Sequence, residues 1–147
     1  MKNLSYLSSF FLLLLLLSGC GNNNDNPTPE TETATFRVDF AQTGDYQKFI
    51  KIISITGGEF KYKGTGEVMP IVLSGDNLNA ASFSVEASNV RELEISALTG
   101  FSPVEDGPAT MTMTFTIYKN GQRLDEKTYT YSEVTDQRTE ELLYKAN

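Results

Sequence analysis

Thr110-Met111-Thr112-Met113-Thr114-Phe115-Thr116-Ile117-Tyr118-Lys119, followed by Asn120-Gly121, decides the fold class of this chain. Apolar residues at 111, 113, 115 and 117 alternate with threonines at 110, 112, 114 and 116. Side chains of a strand point to opposite faces in turn, so this stretch reads as a strand with one face in a core and one in water. Asn120-Gly121 is the strongest short hairpin signal in the chain, because both residues tolerate the positive φ of a two-residue turn. A strict two-residue loop pairs Ile117 with Leu124 and turns Tyr129 and Tyr131 outward. A bulge near Asp125 turns those tyrosines inward instead. Both registers stay open from sequence.

The same period recurs on either side. Phe36, Val38 and Phe40 alternate with Arg37 and Asp39; Phe83, Val85 and Ala87 alternate with Ser84 and Glu86; Leu93, Ile95 and Ala97 alternate with Glu92, Glu94 and Ser96. Between Phe49 and Ile55 apolar residues fall on both parities, which suggests a bulge or a strand buried on both faces. Pro70 interrupts Val68–Leu73 and demotes that run to an edge or bulged strand. The segment 136–144 reads as a last strand in company with the others, with a short helix capped by Thr139 as the alternative. The whole predicts an all-β, antiparallel β-sandwich of about 7–8 strands, immunoglobulin-like in class, over residues 36–147.

What precedes the sandwich is an address. Lys2 is followed by an apolar run that is unbroken from Phe10 to Leu17. That is short of the ~20 residues needed to span a bilayer, and it fits a secretory signal peptide over residues 1–19. Leu17-Ser18-Gly19-Cys20 resembles the lipobox of bacterial lipoproteins, and the only cysteine of the chain stands where that motif needs it. The resemblance implies lipidation of Cys20 and a membrane partner reached through acyl chains. Residues 20–35 are then the acylated cysteine and a flexible linker rich in Asn, Pro, Thr and Glu. Lipobox, tether and β-rich domain together resemble small lipoproteins of Bacteroidota with an immunoglobulin-like or transthyretin-like ectodomain. That resemblance implies the outer membrane, on either face.

Composition excludes several chemistries. The 147 residues include no His, no Trp and one Cys. A His-based triad and a His or multi-Cys metal site are therefore ruled out. A net charge of −7 argues against nucleic acid as a partner. No Gly-x-Ser-x-Gly, Ser-x-x-Lys or phosphate loop occurs. The carboxylate pairs Glu92/Glu94, Glu105/Asp106 and Glu140/Glu141 read as solvated surface. Calcium takes oxygen ligands, and Asp76, Asn77 and Asn79 crowd one glycine-containing loop and Glu105 and Asp106 another, but neither has the alternating acidic spacing of a calcium loop, and turn chemistry explains them without a metal. The expectation is thus no enzyme, no metal and no cofactor beyond the covalent lipid.

Among aromatics, Phe101 in Gly100-Phe101-Ser102-Pro103 is the one whose burial no pattern demands. It is a candidate ligand contact or a plug for one end of the sandwich. The function expected is a lipid-anchored, non-catalytic binding or structural module for a glycan or an envelope protein. The alternatives are a carboxylate-dependent glycan-active accessory enzyme and a subunit of an envelope or fimbrial assembly. The sequence sets no oligomeric state.

Overall fold

A computed structural model describes residues 32–147. The signal segment, Cys20 and the tether as far as residue 31 lie outside the described residues. Nine strands follow: β1 (Ala34–Gly44), β2 (Phe49–Thr56), β3 (Lys61–Tyr62), β4 (Val72–Ser74), β5 (Ser82–Val90), β6 (Glu92–Phe101), β7 (Thr110–Lys119), β8 (Gln122–Ser132) and β9 (Arg138–Lys145). They form two antiparallel sheets, in the orders β3-β5-β1-β7-β8 and β4-β2-β6-β9. The alternation read from sequence holds: Phe36, Val38, Phe40, Val85, Leu93, Ile95, Met113, Phe115 and Ile117 are buried between the sheets. Each such side chain contributes about 1.5–3 kcal/mol.

The hairpin takes the bulged register. Lys119 pairs with Gln122 and Tyr118 with Arg123, but Ile117 pairs with Asp125. Leu124 is the extra residue and stands exposed. The one-residue shift turns Tyr131 into the core and Tyr129 against it. The threonine face points to water, where Thr114 and Thr128 hydroxyls lie 3.1 Å apart and Thr112 and Thr130 hydroxyls 3.4 Å apart. The tail is strand β9, paired along β6. Pro70 precedes the short edge strand β4.

Strand β2 corrects an expectation. It is neither bulged nor buried on both faces. It alternates strictly, with Phe49, Lys51, Ile53 and Ile55 inward and Ile50 and Ile52 outward. The apolar residues of the exposed parity lie on the outer face of the four-stranded sheet, where Ile52 pairs with Leu98. A lysine takes the interior place between Phe49 and Ile53.

The sandwich has two unlike ends. The first strand begins, and the Asn120-Gly121 turn and the C-terminus lie, at one end: Asn120 donates its N–H to Thr35 O at 2.8 Å, and Ala146 donates to Arg91 O at 2.8 Å. The β1–β2, β4–β5, β6–β7 and β8–β9 connections all lie at the other.

Candidate functional site

The loop end gathers charge that is scattered in the sequence. Its connections, residues 45–48, 75–81, 102–109 and 133–137, hold Asp45, Asp76, Glu105, Asp106, Glu133 and Asp136 against one lysine, Lys48. The turns at the other end carry Glu59 and Arg91 and so have no such imbalance.

Three of these loops meet at the start of β7. Gly44 closes β1 with φ +79°, and the Thr110 carbonyl stands where a side chain would go, so only glycine fits. That close approach lets Asp45 donate its N–H to Thr110 O at 2.7 Å and accept the Thr110 N–H on Oδ2 at 3.1 Å. From the opposite side, Glu133 donates its N–H to Ala109 O at 3.1 Å and accepts the Ala109 N–H on Oε2 at 3.0 Å. The Ala109 N–H, and then the backbone N–H of Glu133 itself, hold its carboxyl below the usual glutamate range. Each carboxylate keeps one oxygen outside these bonds. Lys48 reaches into the same loop and donates to the Asp106 carbonyl at 2.8 Å.

The sequence candidates fall as follows. Glu105 and Asp106 are exposed in the β6–β7 loop. Glu92 and Glu94 face water on β6, Glu92 at 3.6 Å from Lys145. Glu140 pairs with Arg138 at 2.6 Å, and Glu141 is exposed. Asp76, Asn77 and Asn79 form and flank the 3-10 turn Gly75–Leu78, with Asn79 Nδ2 donating to Asp76 Oδ1 at 3.0 Å. Phe101, the last residue of β6, is half-buried at the loop end, its ring edge-on to Phe49 at 5.5 Å. A groove of about 510 Å³ on the five-stranded sheet does hold two carboxylates, Glu59 and Glu86. Lys61 lies 3.0 Å from Glu59 there, and Lys63 also lines it.

Sequence reasoning missed Asp45, Glu133 and Asp136 because only the strand order brings their loops together. It also missed three polar side chains buried between the sheets: Gln42, Lys51 and Thr99. They form a line across the interior. Gln42 pairs with Met113 in one sheet and Lys51 with Thr99 in the other, and Thr99 Oγ1 lies 4.0 Å from Met113 Sδ. The signal was available: all three occupy inward parity in their strands.

The sequence pattern of the PLAT/LH2 and C2-like Ca2+-binding lipoproteins matches residues 2–145. The chain belongs to this family. Solved structures similar to this PLAT/LH2 and C2-like lipoprotein come from Bacteroidales. The calcium-bound form of a protein from Parabacteroides distasonis, determined by NMR, has a TM-score of 0.66 and 24% identity, covering 82% of this chain and 98% of that one. A domain of unknown function from Bacteroides vulgatus has a TM-score of 0.63 and 18% identity, covering 78% and 97%. A related protein from Bacteroides ovatus has a TM-score of 0.60 and 11% identity, covering 78% and 96%. At these identities the likeness is one of fold. No curated relative matches the chain. The sources agree with the Bacteroidota lipoprotein texture read from the sequence, and none of these names carries a reaction.

Proposed function

We propose that this protein is a lipid-anchored envelope lipoprotein whose sandwich is a non-catalytic binding domain, and that Ca2+ is the ligand of its loop end. The carrying observation is the gathering of six carboxylates on the four loops opposite the end at which β1 begins. Family membership supports it. The proposal departs from the sequence expectation of no metal.

The donor chemistry fits the ion. Calcium takes oxygen ligands from carboxylates and backbone carbonyls, and these loops offer both with no imidazole or thiolate. Its carboxylate donors would be drawn from Asp45, Glu105, Asp106, Glu133 and Asp136, no more than two of them on one ion, since among the described residues no three acidic side chains stand close enough to share one. Backbone carbonyls of the β6–β7 loop would complete the set. Bound there, the ion would neutralise the loop charge and cross-link the loops. The anchor in this reading is Cys20, and the loop end lies opposite the end of the sandwich at which β1 begins.

The test is thermal unfolding of the protein with CaCl2, MgCl2 or EGTA. Calcium at ~10 times its dissociation constant would stabilise by about 1.4 kcal/mol, and the midpoint would rise by roughly 5 °C. Magnesium would give a smaller shift, because it demands a tighter octahedral cage. Asp106→Asn is expected to remove most of the calcium shift. An unchanged midpoint in millimolar calcium, or equal shifts with both ions, would refute the assignment. Lys48→Met tests the local field separately. It removes a cation and frees the Asp106 carbonyl, so calcium affinity should rise several-fold.

A further inference from the structure

Four strands end the two sheets: β3 and β8 in one, β4 and β9 in the other. An edge strand offers unpaired N–H and C=O groups to any chain that lies beside it, and short length or a bulge blunts that offer. β3 has two residues and β4 three, and β8 carries the bulge at Leu124. β9 has neither protection. Its eight residues, Arg138–Lys145, run against β6 in unbroken register from Thr99 to Glu92.

The register says which groups are free. Ala146 donates its N–H to Arg91 O at 2.8 Å, so Ala146 and every second residue before it turn their backbone groups toward β6. Thr139, Glu141, Leu143 and Lys145 turn theirs away. Among the described residues none of these four has a backbone partner on that side, and the Lys145 carbonyl accepts only the Lys119 ammonium, at 3.2 Å. The same four residues carry their side chains on the outer face of the sheet. Glu141, Leu143 and Lys145 are exposed there, Leu143 at 56%.

These three side chains are complementary to themselves. A second β9 laid antiparallel beside the first, about a two-fold axis at Leu143, sets Leu143 on Leu143 and each Glu141 on the other copy's Lys145. Lys145 then stands between two glutamates on one face: Glu92 of its own β6, at 3.6 Å, and Glu141 of the second copy. On the inner face Leu142 meets Tyr144. Neighbouring axes lack this match: one at Glu141 sets glutamate on glutamate, and one at Leu142 sets Glu141 on Leu143. We propose that β9 is an interface between two copies of this chain, joining their four-stranded sheets into one continuous sheet across Leu143. The proposal does not rest on the calcium reading.

The full chain carrying Cys20→Ser has no thiol and no lipid. Its mass in solution, read by sedimentation equilibrium, should follow a monomer–dimer equilibrium with a dissociation constant of about 100 µM or tighter. Glu141→Lys and Lys145→Glu, both at exposed positions, should each weaken it at least tenfold. Mixed in equal amounts, the two variants should associate with each other, because lysines at 141 and 145 of one copy then face glutamates of the other. In the same Cys20→Ser background, Leu143→Cys should cross-link under mild oxidation, since Cα atoms of a hydrogen-bonded antiparallel pair lie about 5.5 Å apart, within disulfide reach. Glu141→Cys should not, because its counterpart lies about 13 Å along the strand. A monomer at ~1 mM, a dimer indifferent to both charge reversals, variants that do not pair when mixed, or cross-linking at 141 as fast as at 143 would each overturn the proposal.

Discussion

Replacing Cys20 with serine is expected to move the protein from the membrane pellet to the soluble fraction of its native host. The argument is chemical. The chain has one thiol, and it follows the apolar run Phe10–Leu17 and the small residues Ser18-Gly19. A thioether-linked diacylglycerol needs that sulfur, and a hydroxyl does not replace it. Each buried methylene contributes about 0.8 kcal/mol, so two chains hold firmly where one chain holds marginally. The described residues include no helix long and apolar enough to cross a bilayer. Ultracentrifugation of lysates from cells fed labelled fatty acid reads both parts: label and sedimentation should be lost together. A Cys20→Ser protein that still sediments with membranes, or a wild-type protein without label, would sink the anchor. Protease treatment of intact cells then tests whether the domain is displayed outside the cell.

The strands were legible because half-buried antiparallel strands write their two faces into alternate positions. Thr110–Tyr118 and Leu93–Ala97 do so without ambiguity. The register of β8 was not legible. A strict turn and a bulged one differ by a single residue, and either way an apolar residue meets water: Tyr129 and Tyr131 in one, Leu124 in the other. Packing decides it, because the bulged register turns Tyr131 and Tyr129 toward the core where the strict one would turn Thr130 and Thr128. Strand β2 misled for a related reason. Ile50 and Ile52 suggest burial, yet they lie on the outer face of their sheet beside Leu98. Composition by itself does not say which parity is inside.

The loop-end site was legible only in part. Glu105 and Asp106 are adjacent in sequence and drew notice as a pair. Asp45 and Glu133 belong to connections far apart along the chain, and the order β1-β7-β8 brings both to the backbone at Ala109 and Thr110. A site built by topology leaves no local motif. The two lysines of this region fit the same logic. Lys48 and Lys51 each donate to a backbone carbonyl, of Asp106 and Tyr46, as fixed cations among loops that otherwise carry negative charge.

Lys51→Met is expected to make the domain more stable at neutral pH. A folded-state pKa of about 8 against 10.5 means that burial disfavours the charged form. Below pH 8 the lysine is protonated in both states, and the fold carries the full penalty, on the order of 3 kcal/mol. Methionine removes it but leaves the Tyr46 carbonyl without its donor, which costs back about 1 kcal/mol. The net gain is about 2 kcal/mol, a rise in midpoint of roughly 10 °C. The sign also sets the pH dependence. Between pH 8 and 10.5 the unfolded chain binds more protons at this residue than the folded one, so the lysine protein gains stability as pH rises. The advantage of Lys51→Met should therefore shrink from pH 8 upward. Tyr62, Tyr129, Tyr131 and Tyr144 are all pushed above the usual tyrosine range, which costs both proteins stability above about pH 10. Taking the difference between the two proteins cancels that effect. Urea unfolding at pH 7, 8, 9 and 10 measures it. A variant less stable than wild type at pH 7, with a gap independent of pH, would mean that the ammonium is well compensated in the fold. A gain that closes toward pH 10 would mean that the chain keeps a destabilising charge in its interior.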